Sequence, residues 1–249
     1  MGCNRFSVNS LTYAVVDTTK PNLLHAIGIL YLKTSPKILL CNTLVIAPRW
    51  SLAPGHCVSM RSDPDLFSLM PKWKISYNTS ELAYEETGIK RNIVHPHFDR
   101  DQLNNNIGLF EHDTLTVSTY IYDVSSMFAV ADDFLHRFSK DMTVVGWSRI
   151  FDYNNPDDRN VMSFTNVNVI TMEKCLEYVS PILELRNHEM CVFVKKVSSN
   201  YLEHGAMLVV NSKIIGFFSW GDKQGKGIPL IILKIESYKD WLKDIMTLY

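Results

Sequence analysis

The stretch CNTLVIAPRWSLAPGHC, residues 41–57, holds the most specific pattern in this sequence. It opens on Cys41, continues through an aliphatic and β-branched run to Trp50, and closes on the adjacent pair His56 and Cys57. Short runs of this composition, bounded by turn residues, are typical of β-strands. The pattern indicates strands that lead into a turn carrying a histidine beside a cysteine.

The same alternation of short apolar segments and polar or proline-containing turns continues along the chain. The segments are Ala26–Leu32, Ile38–Ala47, Ile89–Val94, Thr143–Trp147, Asn166–Ile170, Met207–Val210 and Ile214–Trp220. This spacing predicts an all-β barrel or sandwich. Only Ser237–Met246 differs, because its apolar residues recur at helical spacing with lysines and aspartates between them. We expect an amphipathic C-terminal helix there.

Charge and composition exclude several classes of function. The formal net charge of -1 offers no basic excess to hold a phosphate backbone, so we expect no nucleic-acid partner. No run of about 18 apolar residues occurs, so we expect no membrane span. No cofactor-binding motif stands out, and we expect no cofactor.

The chain has five cysteines, an odd number that leaves one over if the others pair. Residues 1–20 lack the basic start and long apolar segment of a signal peptide, and we interpret the start as truncated or mispredicted. The triplet Asn78-Thr79-Ser80 forms a glycosylation sequon, which makes Asn78 a candidate glycan site in a secreted chain.

The stretch 41–57 resembles the segment that carries the catalytic histidine in trypsin-like serine proteases. The spacing from Cys41 to His56 matches that family, whose Ala-Ala-His-Cys reads Pro54-Gly55-His56-Cys57 here. Further matches follow in the order of the family's motifs. They are Ile93–Phe98, Leu103–Leu109, Val145–Trp147, Ile215–Gly221 and the closing Tyr238–Leu242.

This resemblance implies an all-β fold of two packed six-stranded antiparallel barrels with a C-terminal helix. We predict an N-terminal extension over 1–13 and one peptidase domain over 14–249. Within that domain we predict a first barrel over 14–125, a second over 126–236, and the helix over 237–249. The resemblance also implies two disulfides, Cys41–Cys57 and Cys175–Cys191, and leaves Cys3 without a counterpart.

The residues that would carry catalysis are altered. The family uses a serine nucleophile, a histidine base and an aspartate that orients the histidine. The histidine is retained as His56, whereas Asn106 replaces the aspartate and Gly205 replaces the serine. The family's Asp→Asn change alone lowers turnover by about 10⁴, because the histidine takes the wrong tautomer. We therefore predict a degenerate triad.

The neighbouring oxyanion loop and specificity pocket are altered as well. Glu203 and His204 stand where the family has glycine and aspartate, so a negative side chain would face the developing oxyanion. His56, His204 and Glu203 lack the spacing of a zinc site, and we expect no metal. The positions that correspond to the specificity pocket are Ser199, Ser219, Trp220, Gly221 and Leu230.

From these changes we expect a chain that is not an enzyme, an inactive homologue of a serine endopeptidase. It would be a secreted, monomeric binding or regulatory protein that acts on a protein partner. The alternative is a divergent serine endopeptidase with a relocated nucleophile, such as Ser219 or Ser212, which would need a base within hydrogen-bond reach. A gene product without a selected function is a third possibility.

Overall fold

The computed structural model describes residues 22–35, 37–80, 83–115, 121–123, 142–149, 160–180, 184–195, 201–223 and 227–249. Cys3 and the predicted N-terminal extension over 1–13 lie outside these residues, as does the predicted boundary between the barrels at 125–126. Those boundaries therefore stay predictions.

Six antiparallel strands close into the first barrel. They are β1 (Ile27–Leu32), β2 (Ile38–Ala47), β3 (Trp50–Ala53), β4 (Trp73–Ser80), β5 (Ala83–Val94) and β6 (Gly108–His112). Their order around the barrel is β1-β2-β3-β6-β5-β4. Every residue of β1, β3 and β6 is buried, because a closed barrel has no free edge and its short strands pack on both faces.

Seven described strands build the second barrel. They are β7 (Met142–Arg149), β8 (Asn160–Ile170), β9 (Glu189–Val194), β10 (Tyr201–Leu202), β11 (Met207–Val210), β12 (Lys213–Trp220) and β13 (Leu230–Lys234). Six of them form the ring β7-β11-β12-β13-β9-β8, which the pairing of β7 with β8 closes, and the two-residue β10 adds to β7. The predicted fold class of two six-stranded antiparallel barrels is confirmed.

The described helices are short and lie around the barrels. They are α1 (Asn22–His25), α2 (Gly55–Ser59), α3 (Met172–Val179) and α4 (Lys239–Leu248), with 3₁₀ turns at Met60–Ser62, Pro64–Lys72 and Ile235–Tyr238. The predicted C-terminal helix is confirmed as α4. Helix α3 was not predicted, although its apolar residues Met172, Cys175, Leu176 and Val179 recur at helical spacing. No helix in the described ranges is long and apolar enough to cross a bilayer.

The largest apolar cluster joins the two barrels and the C-terminal helix. It brings Leu44 and Leu52 of the first barrel together with Val145 and Phe217 of the second, and Leu242 of α4 packs against it. A fully buried aliphatic or aromatic side chain contributes about 1.5–3 kcal/mol. This shared core fixes the two barrels relative to each other and therefore fixes the cleft between them.

Both predicted disulfides form. Cys41 of β2 bonds Cys57 of α2 with a Cα–Cα distance of 6.5 Å, and Cys175 of α3 bonds Cys191 of β9 at 6.1 Å. Each bridge closes a loop with a sequence separation of 16 residues. The first ties the histidine-bearing helix to the barrel wall, and the second ties α3 to the second barrel.

Candidate functional site

His56 is held at the cleft by the first barrel. It lies in α2, which begins directly after β3, and its neighbour Cys57 is fixed to β2 by the disulfide. The Oγ of Ser59 donates a hydrogen bond to the carbonyl of His56, 3.0 Å away. These links position a half-buried imidazole whose Nε2 faces the second barrel.

Asn106 stands where an orienting aspartate would be and is completely buried. Its Oδ1 accepts a hydrogen bond from the backbone N–H of His56 at 2.8 Å, and its Nδ2 donates to the Oγ of Ser219 at 2.8 Å. The Nδ1 of His56 lies 3.1 Å from Oδ1 and 3.0 Å from Nδ2. An amide can form a hydrogen bond with either tautomer of the ring, because it has both an acceptor oxygen and a donor NH₂ group. A carboxylate only accepts, and it therefore selects the tautomer with a proton on Nδ1.

His204 is the side chain that meets the other nitrogen of His56. Its Nδ1 lies 3.2 Å from the Nε2 of His56, and the two rings pack edge to face at 4.7 Å. In the serine protease mechanism this Nε2 contacts the nucleophile's hydroxyl. We predict the nucleophile's position at Gly205, one residue further on. The assignment stays a prediction, but the groups against Nε2 are the imidazole of His204 and the Sγ of Cys57, which lies 3.3 Å away.

Burial makes both imidazoles weak bases. Desolvation lowers the pKa of His56 to about 4, and the charges of Lys223 and Arg100 act in the same direction. Desolvation also lowers the pKa of His204 to about 3, assisted by His56 and Lys223. Both rings are therefore neutral at pH 7 and can share a neutral hydrogen bond.

Gly205 occupies a place where no side chain fits. Its φ of +81° is in the left-handed region, and a Cβ there would lie 2.3 Å from the carbonyl oxygen of Asn42. Its N–H donates to the carbonyl of Phe218 at 2.7 Å, while the N–H of Asn42 donates to the carbonyl of His204 at 2.7 Å. The loop between β10 and β11 is thus fixed between strands of both barrels.

Asn42 is a site residue that the sequence analysis missed. Its buried side chain accepts a hydrogen bond from the N–H of Trp147 at 2.6 Å and donates to the carbonyls of Trp147 at 3.1 Å and Glu203 at 3.3 Å. The only signal in the sequence is a polar residue directly after Cys41 in an apolar strand. The partners are more than 100 residues away and could not be inferred from it.

Lys223 was also missed, and it changes the interpretation of the oxyanion loop. Glu203 is only 9% exposed, and its Oε2 pairs with the Nζ of Lys223 at 2.6 Å. The expected negative charge at this loop is therefore compensated by a lysine from the turn after β12.

The predicted specificity-pocket residues gather along β12 and β13. Ser219 and Leu230 are completely buried, and Trp220 pairs with Ile231 on the neighbouring strand. Gly221 has a φ of +127°, and a Cβ there would lie 2.3 Å from the carbonyl oxygen of Pro229. Their role as a degenerate pocket stays a prediction.

Two predicted positions cannot be placed fully. Ser199 lies outside the described residues, so this part of the predicted pocket has no structural counterpart here. Asn78 belongs to β4, but its side chain lies outside the described part of the structure, and its glycosylation stays a prediction.

A family model described as Trypsin matches residues 17–242, which is most of the chain. The chain belongs to the trypsin family. Neuropsin, a serine protease expressed in the limbic system of mouse brain, has the same fold at 18% identity. Its TM-score is 0.68, and the match covers 91% of this chain and 96% of that one.

Several curated proteins are also similar to this chain in sequence. Chymotrypsin-2 of Vespa crabro is 24% identical over 80% of this chain and 85% of its own length. Atrial natriuretic peptide-converting enzyme of Rattus norvegicus is 21% identical over 85% of this chain. The chain spans only 19% of that relative's length.

These comparisons correct one prediction. The relatives of this trypsin-family chain are named as a chymotrypsin, a converting enzyme and a serine protease. They contradict the expectation that this chain is not an enzyme, and that prediction is wrong. The altered residues around His56 are features of this chain's cleft, and their consequence is a separate question.

Proposed function

We propose that this trypsin-family chain is a secreted protein that binds a polypeptide partner at the cleft between its barrels. We further propose that the triad positions His56, Asn106 and Gly205 are degenerate. The observation that carries this is the contact between the Nε2 of His56 and the Nδ1 of His204, at 3.2 Å. A histidine base of this family needs a hydroxyl at that nitrogen.

The surroundings of His56 support the degenerate triad. A general base works best when its pKa lies near the operating pH, whereas desolvation lowers the pKa of His56 to about 4. The orienting group is a neutral amide that contacts Nδ1 through both its oxygen and its nitrogen. It does not supply the negative charge that stabilises an imidazolium in the family.

No observation favours a relocated nucleophile. The buried hydroxyl of Ser219 accepts its hydrogen bond from Asn106, on the Nδ1 side of the His56 ring. Ser212 lies in the turn that joins β11 to β12, in a left-handed conformation with a φ of +59°. Within the described residues, neither hydroxyl forms a hydrogen bond with His56.

Secretion is supported by the two disulfides, because such bonds persist in oxidising compartments. Binding is supported by the rigidity of the cleft. A covalent bridge holds the histidine helix, and the shared apolar core holds the two barrels together. Loops carried by a rigid scaffold are where proteins commonly place recognition residues.

The triad is tested by incubating the disulfide-bonded chain with a fluorophosphonate probe, with trypsin labelled in parallel as the positive control. We expect no covalent adduct on this chain. An adduct mapped by mass spectrometry to Ser219, Ser212 or any other serine would refute the degenerate triad.

Binding at the cleft is tested with a photo-reactive amino acid. It is placed at Lys223 beside Glu203 or, as the matched control, at the exposed Lys243 of α4. Both variants are irradiated in extracellular fluid from the source tissue. We expect one polypeptide to cross-link from position 223 and not from position 243. Equal cross-linking from both positions would contradict a partner at the cleft.

A further inference from the structure

The contact between His56 and His204 brings two metal-ligand atoms together from opposite barrels. The Nε2 of His56 and the Nδ1 of His204 are 3.2 Å apart, and both rings are half-buried at the surface of the cleft. Zinc binds imidazole nitrogen at about 2.0–2.1 Å, so two nitrogens at this separation subtend an angle of about 100° at the ion, close to tetrahedral. Small ring rotations would direct both lone pairs to one point.

We propose that His56 and His204 form a two-histidine site for a divalent transition metal ion, of which zinc is the best match. Imidazole is a ligand that suits zinc, copper and nickel. This site does not depend on the proposed polypeptide partner, because it uses only these two side chains and solvent.

Asn106 provides the oxygen acceptor that a metal-binding His56 would need at its second ring nitrogen. Histidines that bind metals almost always donate their second ring N–H to an oxygen acceptor. The Oδ1 of Asn106 lies 3.1 Å from the Nδ1 of His56 and is held in place by the backbone N–H of His56. With Nδ1–H donating to this oxygen, the lone pair of Nε2 is free to face the ion.

Metal binding needs no net release of a proton. One of the two facing nitrogens carries the hydrogen of their mutual hydrogen bond. On metal binding this proton moves through solvent to the other nitrogen of the same ring. For His56 that nitrogen is Nδ1, which then donates to Asn106, and for His204 it is Nε2.

The other groups near the pair limit the affinity. Among the described residues, the one group of three potential ligands within 4.8 Å of one another is Cys41, His56 and Cys57. The two sulfurs form a disulfide and are not thiolate ligands. The positive charges of Lys223 and Arg100 also act on His56, although Glu203 pairs with Lys223. Water would fill the remaining positions around the ion.

The site is tested by titrating the full disulfide-bonded chain with zinc chloride in a calorimeter, in a buffer that does not bind metals. The variants are His56→Gln and His204→Gln, because glutamine keeps a neutral hydrogen-bonding group and removes the imidazole. His97→Gln is the matched control, since His97 is exposed and lies apart from this pair in the loop after β5.

We expect wild type and His97→Gln to bind one zinc ion. Loss of an outer-shell partner alone typically weakens metal binding about 10–100-fold, so we expect each cleft variant to lose at least about tenfold. Circular dichroism confirms folding of each variant. The Lys223→Met change is expected to tighten binding, because it removes a positive charge that acts on both His56 and His204.

Three results would overturn the site. They are no zinc binding by the wild type at millimolar metal, unchanged binding by His204→Gln, or loss of binding in His97→Gln alone. The last result would assign the ion to His95 and His97 on the surface. None of these measurements involves a polypeptide, so they are separate from the test of the proposed function.

Discussion

The two walls of the cleft differ in how they are built. The first-barrel wall keeps the family's framework, with His56 on a helix that a disulfide ties to β2 and with Asn106 buried behind it. The second-barrel wall carries Glu203, His204 and Gly205 on a loop that no disulfide holds. Backbone hydrogen bonds from Gly205 to Phe218 and from Asn42 to His204 fix that loop instead.

The two walls therefore hold their site residues by different means, one by a covalent bridge and the other by backbone hydrogen bonds. The disulfide constrains the position of the histidine helix whatever side chains face it. The opposite loop depends on one glycine conformation and one buried amide, so its side chains could change as long as these two features stayed. The predictions below test each wall in turn.

The largest effect is expected at Gly205, on the second-barrel wall. We expect Gly205→Ala to lower the free energy of unfolding by about 2–5 kcal/mol, because a left-handed φ and a clash with the carbonyl of Asn42 add together. Urea unfolding measures the loss. Gly227→Ala is the control, since nothing lies within 4 Å of a Cβ there. Equal losses for both variants would contradict this role of Gly205.

The first-barrel wall is tested by removing its disulfide. We expect the double variant Cys41→Ser with Cys57→Ser to lose about 3 kcal/mol of stability, as expected for a loop of this length. Removal of the Cys175–Cys191 disulfide is the matched control, because both bridges close loops with a sequence separation of 16. Thermal unfolding should give similar losses for both.

Only the first of these two variants should also disturb the histidine pair. Proton–nitrogen NMR spectra of the imidazoles of His56 and His204 would detect the change. Identical spectra in the two disulfide variants would show that the bridge does not position His56.

Asn42 connects the two walls, and its loss is expected to cost about 1–3 kcal/mol. Asn42→Ala removes the buried acceptor of the Trp147 N–H and the donor to the carbonyl of Glu203. Asn168→Ala is the control, because Asn168 is an exposed residue of β8. Urea unfolding should show a clearly larger loss for Asn42→Ala, and a reversed order would contradict the bridging role.

The smallest effect is expected from acid, through His112 of the first barrel. Burial lowers the pKa of this histidine, whose Nε2 contacts the Oγ of Ser51 at 3.0 Å. Below the ordinary histidine pKa of about 6.5 the unfolded chain binds a proton that the folded chain resists. The neutral, buried His112 therefore contributes fully to the free energy of unfolding above a pH of about 6.5, and this contribution is lost as the pH falls below that value.

We expect His112→Gln to flatten the fall in unfolding free energy between pH 7.5 and 5.5, measured by urea titration at each pH. His97→Gln, which removes an exposed histidine, is the control variant. A slope that is the same in His112→Gln as in the wild type would place the acid sensitivity elsewhere, for instance in the cleft.

Much of the fold could be predicted because its signals are local. The alternating apolar segments predicted the strands of a barrel or sandwich, and helical spacing near the end of the chain predicted the C-terminal helix. The two barrels and both disulfides were predicted from the resemblance to trypsin-like serine proteases. Helix α3 and the two-residue β10 were missed. The first spans only eight residues, although its apolar residues recur at helical spacing, and the second consists of Tyr201 and Leu202 paired with β7.

The candidate site was predicted only in part, because its contacts join distant segments. Sequence reasoning found His56 and Asn106 and assigned changes to Glu203, His204 and Gly205. It did not show that His204 faces His56 across 148 residues, or that Lys223 neutralises Glu203. The prediction that the chain is not an enzyme was wrong, because its relatives are named as a chymotrypsin, a converting enzyme and a serine protease.

By itself, the sequence determined which elements form and which cysteines lie beside the cleft histidine, since hydrophobic period and motif spacing act over short stretches. The tertiary structure decided what the imidazole of His56 meets. That outcome depends on how two closed barrels pack through a shared apolar core and on a glycine turn pressed against Asn42. Such contacts arise only in the folded chain, where residues that are neighbours in space are far apart in the sequence.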